Sequence, residues 1–275
     1  MVSVGRSAGA SAAEARHRWD LPHREFGALL AVERPAICVN AAGRASVPAS
    51  MDAPLADFEA STALTYQVLD DLRRFSPSTA FLHLSSAAVY GDPARLPVSE
   101  DDPAAPISPY GWHRRLSEMV VEAHARLFGV RAASLRIFSA FGAGLRRQVI
   151  WDLAIKARAT AAGPLHLKGG PDDSRDFIHG ADVAEALACV AERGTLTGEC
   201  YNVATGRETL IAEVAAQVLR CSGRPVELAF DHAPAPGVPG RWRADVSRLA
   251  ALGFAPQVTL ATGVAEVVRE AAGHG

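Results

Sequence analysis

Short apolar runs alternate along the chain with amphipathic segments of helical period, and that alternation constrains the fold more than any other feature. Ala36–Asn40 (AICVN) predicts a buried strand after a short helix around Arg24–Glu33. From about Pro54 to Arg74 the period is helical, with Phe58, Leu64, Val68 and Leu72 near one face. Ala80–Leu84 predicts the next strand, Tyr110–Phe128 a helix, and Arg131–Phe138 a strand again. Beyond these come a helix near Arg147–Ala161, a short strand at Leu165–Leu167 and a helix over Asp182–Glu192. A strand at Cys200–Val203, a helix over Leu210–Cys221 and a last helix near Leu260–Ala272 complete the series. Such a rhythm predicts an α/β fold: a doubly wound parallel sheet with helices on both faces. Proline and glycine thicken at Pro93–Pro109, Gly163–Pro171 and Ala233–Gly240; the first reads as an ordered loop over a site. The other two fall where alternation weakens, as expected of a smaller C-terminal lobe.

Composition removes several alternatives. The 275 residues are 49% hydrophobic and 21% charged, which is ordinary for a globular chain. A formal charge of −2 provides no field for gripping nucleic acid. No apolar run approaches the ~18 residues of a membrane span, and the first residues lack the apolar core of a signal peptide. A cytoplasmic location is expected. Cys38, Cys189, Cys200 and Cys221 are scattered without ligand spacing, so buried free thiols are expected, with no metal site. Only Lys156 and Lys168 are lysine among 28 basic residues, which suggests a GC-rich genome where arginine replaces lysine.

The chemistry concentrates in HLSSAAVYG (His83–Gly91) and SPYGWHRR (Ser108–Arg115). Ser85 and Ser86 follow the strand Ala80–Leu84, at the carboxyl end where open α/β sheets bind ligands. Tyr110 lies near the start of a helix, with Arg114 one turn on along the same face. A phenol beside a fixed cation ionises more readily, and a nearby hydroxyl can bind the oxygen of an alcohol. Together they could take a proton from that alcohol while a hydride leaves its carbon.

Seven ordered segments add to this: VNAAG (Val39–Gly43), SSAAVYG (Ser85–Gly91), SPYGW (Ser108–Trp112), LRIFSAFG (Leu135–Gly142), RDFIHGADVAEAL (Arg175–Leu187), YNVATG (Tyr201–Gly206) and ADVSRLAALGFAP (Ala244–Pro256). With them the chain resembles the extended short-chain dehydrogenase/reductase superfamily, in its NAD-dependent sugar-nucleotide epimerase/dehydratase branch, from about Arg18 to Ala272. The resemblance implies a Rossmann-like sheet that is N-terminally incomplete. Its dinucleotide-binding domain would comprise residues 1–138 plus about 175–204, and its substrate lobe residues 139–174 plus about 205–275. NAD or NADP is the implied cofactor, a nucleotide sugar the implied substrate, and a homodimer through helices that include Tyr110–Phe128 is plausible by the same likeness.

By position, Tyr110 matches the family's catalytic base/acid and Ser86 the hydroxyl that binds the reacting sugar oxygen. Ala41, Ala42 and Gly43 match the turn that passes the cofactor, with Leu84 and Ser85 at the next strand end. Asp20 and Leu21 resemble the pair beside the adenine, and Phe138 lies where the family's chain passes the nicotinamide. Ser139 occupies the place of a substrate-contacting Asn, and Arg175 that of an Arg facing the nucleotide diphosphate. For Arg175 a surface salt bridge with Asp176 or Asp182 is the competing reading; for the Ala-Ala-Gly turn it is tight packing alone.

Four departures qualify the likeness. The opening strand and G-x-x-G-x-x-G turn of the family are missing, and VSVGRS (Val2–Ser7) resembles its second strand instead. Either a start codon has been placed too late or the truncation is natural. Loss of a central strand should be ruinous unless another segment fills the gap. The family's Lys is Arg114, which keeps the charge but cannot readily lose a proton; tolerated replacement and altered catalysis both remain open. Ser61 stands where the family usually has Asn. Ala235 stands where an Arg would hold the nucleotide diphosphate, with Arg241 or Arg243 as candidate substitutes. Dehydratases follow the Ser/Thr with Asp-Glu, but here Ala87 and Ala88 cannot transfer protons, so epimerisation or keto-sugar reduction is expected over 4,6-dehydration. A catalytically silent relative that binds a sugar nucleotide or a protein partner is the alternative.

Overall fold

The computed structural model describes residues 1–5, 15–160, 163–223, 227–233 and 237–273. It opens with β1 (Val2–Gly5), β2 (Ala15–Arg18), α1 (Phe26–Glu33), β3 (Ile37–Asn40) and α2 (Val47–Asp52). The helix expected from Pro54 is continuous but not uniform. It runs as α3 (Pro54–Phe58), a π turn over Glu59–Ala63, and α4 (Leu64–Phe75). A π turn takes in one residue more and rotates the face that follows. Leu64, Val68 and Leu72 are therefore buried, whereas Phe58, expected on the same stripe, is 36% exposed.

Strand β4 (Ala80–Ser86) extends two residues past its expected end, which makes Ser85 and Ser86 its last positions. A 3-10 turn (Ala87–Tyr90) follows, and after the Pro-rich loop comes α5 (Pro109–Phe128). Ser108 caps α5 by accepting the Gly111 N–H at 3.2 Å, Pro109 stands in the first turn, and Gly129 closes it at φ +69°. The remainder comprises β5 (Ala132–Ile137), β6 (Ser139–Phe141), α6 (Gln148–Ala159), β7 (Leu165–Leu167) and β8 (Ser174–His179). Then follow α7 (Gly180–Arg193), β9 (Thr197–Val203), β10 (Glu208–Leu210), α8 (Ile211–Ser222), β11 (Leu228–Phe230), α9 (Ser247–Ala251) and α10 (Leu260–Ala272).

The main sheet is parallel, in the order β3-β4-β5-β9. A second parallel pair, β1-β2, stands apart from it. Among the described residues no strand joins the free edge of β3, where Ile37 and Val39 are 43% and 46% exposed. The expected break in the sheet thus falls between β1 and β3, and no described segment fills it. Both sides still share one apolar layer, since Val4 and Cys38 pack against the cluster of Phe26, Leu30, Leu69, Leu72 and Phe81. On the opposite face Val183, Ala186 and Val190 of α7 pack against Leu82, Leu135 and Val203. A separate cluster joins α6, α8 and α10 around Ile150, Leu153, Val218 and Val267. No helix among the described residues is long and apolar enough to cross a membrane.

All four cysteines are free. Burial pushes the Cys38 and Cys200 thiols up to about 12, while Cys221 is exposed, contrary to the expectation that all are buried.

Beneath the strand ends lies a polar network. Arg136 on β5 and Glu118 on α5 form a buried two-bond pair, Nε to Oε1 and Nη2 to Oε2, both 2.9 Å. Arg136 also donates to the Tyr90 hydroxyl (2.8 Å), which donates to Asn202 Oδ1 (2.6 Å). Burial opposes the charge on Arg136, but the bonds and charge of Glu118 prevail and hold its pKa above the ordinary value. Removing Arg136 leaves the buried Glu118 carboxylate with only the half-buried Arg115 guanidinium, 3.2 Å from Oε2, and the Ser85 hydroxyl. Arg136→Met is expected to cost about 3–5 kcal/mol in urea unfolding, and adding Glu118→Leu should recover most of it. Equal losses in the single and double variants would contradict this.

Candidate active site

At the end of β4, Ser86 Oγ accepts the Ala88 N–H at 3.2 Å and so caps the 3-10 turn. Its own proton is left free to donate, and the residue is only half-buried. Ser85, one position earlier, faces the other side of the strand. Its hydroxyl is buried and donates to Glu118 Oε1 at 2.6 Å. The Ser85 side chain, expected to contact the cofactor, is therefore turned into the core.

Tyr110 is held by its N–H, which donates to Ser50 Oγ at 3.0 Å. The next residue explains how its helix reaches Ser86. A Cβ on Gly111 would lie 2.5 Å from the Ala88 carbonyl oxygen, so only glycine lets the first turn of α5 press against the turn that Ser86 begins. Arg114 lies over the Tyr110 ring, with Cζ 5.2 Å from its centroid. It is buried, and it donates from Nη1 to the Leu84 carbonyl (3.0 Å) and from Nη2 to the Arg44 carbonyl (2.8 Å). One guanidinium thereby fastens the end of β4 to the turn after β3. Fully buried His83 lies one residue before Leu84; burial, then the Arg114 charge, push its pKa down to about 3, so it stays neutral.

That turn is shaped for close approach. Asn40 Oδ1 accepts the Ala42 N–H at 3.2 Å, and Gly43 sits at φ +118°. A Cβ there would be 3.2 Å from Arg114 Nη2, 3.3 Å from the Ala60 oxygen and 3.4 Å from Ser61 Oγ. Ser61 comes from the π turn, and its buried Oγ has no partner among the described residues. Arg114 Nε and Arg44 Nη1 are likewise buried and unpartnered. Each such group costs about 1–3 kcal/mol if left unpaired. Three unpartnered donors on residues that flank or touch this turn fit a ligand rich in acceptor oxygens, as a dinucleotide is.

The other predicted residues divide. Asp20 lies at the surface between β2 and α1, and Leu21 packs against the Phe26 cluster. The Phe138 ring is turned inward, 6.3 Å from Tyr90 and 6.2 Å from Trp242 between centroids, so only its backbone can border a nicotinamide. Ser139 is half-buried at the start of β6. Arg175 donates from Nη1 to the carbonyls of Ser174 (2.6 Å) and Gly240 (2.9 Å) and lies over Trp242. The competing salt-bridge reading is corrected. Asp176 accepts from Thr205 and Ala244, and Asp182 accepts the Gln257 and Val258 N–H groups. Burial holds the Arg175 guanidinium below its ordinary pKa, with Asp173 opposing. Ala235 lies outside the described residues. Arg241 is engaged by Glu208 at 2.7 and 3.0 Å, and Arg243 donates to the Gly206 carbonyl at 3.1 Å. Sequence reasoning missed Trp242, Glu118 and Arg136, whose partners are distant in the chain.

Because a lysine ammonium cannot span both carbonyls, Arg114→Lys is expected to lower stability by about 1–3 kcal/mol. Thermal unfolding checks this; an unchanged or higher midpoint would show that the two-carbonyl bridge carries little.

Residues 2–204 match the family model described as "NAD dependent epimerase/dehydratase family". The chain is 30% identical to a UDP-glucose 4-epimerase of Mycolicibacterium smegmatis, over 97% of this chain and 87% of that one. It is 28% identical to a dTDP-glucose 4,6-dehydratase of Xanthomonas campestris, over 87% and 73%. Among solved structures, the Thermus thermophilus UDP-glucose 4-epimerase complex with NAD superposes with a TM-score of 0.83 at 25% identity, covering 95% of this chain and 86% of that one. With strand ends, tyrosine helix and sequence in agreement, the chain belongs to the NAD-dependent epimerase/dehydratase family.

Proposed function

We propose that the protein is an NAD(P)-dependent sugar-nucleotide epimerase or keto-sugar reductase that works at a sugar ring carbon. The observation that carries this reading is the close approach of Gly111 to Ala88, which sets the first turn of the Tyr110 helix against the turn that Ser86 begins, with the Arg114 guanidinium over the Tyr110 ring and the Ser86 proton free to donate. Ser86 would donate its proton to the sugar oxygen and fix its position. Tyr110 would take the proton of that hydroxyl on oxidation and return it on reduction. Arg114 would supply positive charge beside the phenol without itself exchanging a proton. Ser61, Arg44 and Arg114 would hold the ribose and phosphate oxygens of the cofactor along the Ala41-Ala42-Gly43 turn. When bound, the nicotinamide dinucleotide supplies the hydride acceptor and donor. Arg175 on β8 and Ser139 on β6 would face the nucleotide sugar.

Ala87 and Ala88 are both buried and carry no titratable group, which supports epimerisation or reduction over 4,6-dehydration. One observation favours a second reading, a silent relative that binds a sugar nucleotide or a protein partner. Among the described residues no Gly-rich turn leads from a central strand into a helix N-terminus, the family's usual pyrophosphate cradle.

Tyr110→Phe is expected to abolish turnover of UDP-hexoses while leaving the unfolding midpoint and cofactor affinity unchanged, because only the phenol's proton chemistry is removed. Normal turnover would refute the assignment. Calorimetric titration of the wild-type protein with NAD and NADP separates the two readings; no binding at millimolar cofactor would leave only the silent relative. Exposed Trp112 and Met119 on α5 and Tyr66 on α4 support self-association through these helices. Sedimentation equilibrium should show a homodimer, and a monomer at micromolar concentration would remove that part of the proposal.

A further inference from the structure

Trp242 lies on none of the named helices or strands, yet backbone pairing places it closely. The Ser174 N–H donates to the Gly240 carbonyl at 3.0 Å, and the Trp242 N–H donates back to the Ser174 carbonyl at 3.2 Å. Residues 240–242 therefore run beside the start of β8 and lay the indole under the Arg175 guanidinium, with Cζ 5.3 Å from the ring centroid. The indole is itself fixed. It meets the Phe138 ring edge-on at 6.2 Å, and its Nε1–H points to the Gly91 carbonyl at 3.5 Å. Phe138 and Gly91 both follow main-sheet strand ends, so the tryptophan ties the anion-facing arginine to the catalytic side of the cleft.

This leaves Arg175 in an unusual state for an arginine. One nitrogen, Nη1, is spent on two main-chain carbonyls, one face lies on an indole, and among the described residues no carboxylate forms an ion pair with it, Asp173 acting only through its charge. Its Nε and Nη2 have no hydrogen-bond partner among the described residues. They form the edge that engages two oxygens of a phosphoryl group side by side. The neighbouring cations are spent, Arg241 on Glu208 and Arg243 on the Gly206 carbonyl.

We propose that Trp242 is the positioning residue of the substrate's phosphoryl site: with the two carbonyls it orients Arg175 so that its free edge receives the diphosphate of a nucleotide sugar. The proposal rests on the nucleotide-sugar reading above and adds the device that lets a single arginine serve there. Because one face lies against Arg175 and the ring meets Phe138 in a T-shaped contact, the indole acts through the arginine.

The test is calorimetric titration of the full chain with UDP, without cofactor, which needs no turnover. A desolvated cation–π contact is worth about 2 kcal/mol. Trp242→Leu should therefore weaken UDP binding about tenfold or more. Trp242→Phe should restore most of the affinity. Arg175→Ala should weaken it at least as much, and Trp242→Leu added to Arg175→Ala should cause no further loss. Should the leucine variant fail to fold by circular dichroism, Arg175→Lys takes its place: it keeps the charge but cannot lie flat on the ring, and about tenfold weaker binding is expected. Wild-type affinity in a folded Trp242→Leu protein or in Arg175→Lys, or additive losses in the double variant, would overturn the positioning role alone. Absence of UDP binding by the wild-type protein would overturn the nucleotide-sugar reading together with it.

Discussion

Arg114 is the interaction on which the site depends. A parallel sheet delivers its strand ends to one level but does not by itself fix them against one another. Here a buried guanidinium does so, taking the Leu84 carbonyl from one strand end and the Arg44 carbonyl from the turn after its neighbour. The same group lies over the Tyr110 ring, so the backbone that would border a cofactor and the side chain that would move a proton share one anchor. A lysine at this position would have an ammonium free for a ribose hydroxyl. The arginine has committed two of its nitrogens to the protein and keeps only Nε unpartnered.

A second layer supports the first. Glu118, one turn further along α5, receives both Arg136 and the hydroxyl of Ser85, and this locks the last residues of β4 from below while Ser86 stays open above. Strand alternation explains why two adjacent serines have opposite fates. The polar core is therefore not spare: it sets which of the two hydroxyls can meet a substrate. Against this end of the sheet stands the edge of β3, which no strand among the described residues joins and where apolar side chains of β3 meet solvent. The two sides of β4 are thus unequally supported.

Features set by local chemistry are legible in the sequence. The Ser108-Pro109 start of α5, its Gly129 stop, the strand Leu165–Leu167 and the helix Leu260–Ala272 all follow from caps, breakers and periodicity within a few residues. The positions of Ser86 and the Ala-Ala-Gly turn at strand ends, and of Tyr110 in the first turn of its helix, are legible in the same way. What is not legible depends on distant partners. Trp242 gains its meaning from pairing with Ser174, and Arg136 from meeting Glu118 across a sheet–helix interface. The salt bridge considered for Arg175 fails for a reason that sequence proximity hides: Asp176 points to the other side of β8, where Thr205 and Ala244 engage it. The π turn at Glu59–Ala63 breaks an otherwise regular helical period and carries Ser61 to Gly43, a shift that periodicity alone does not announce.

The central claim is that a dinucleotide lies across these joined strand ends, beside Tyr110. Amide hydrogen exchange with and without saturating NAD reads that directly. The account predicts slowed exchange together at residues 41–44, 84–88 and 110–114, with little change on the outer faces of α8 and α10. Protection confined elsewhere, or none at these three segments, would contradict it.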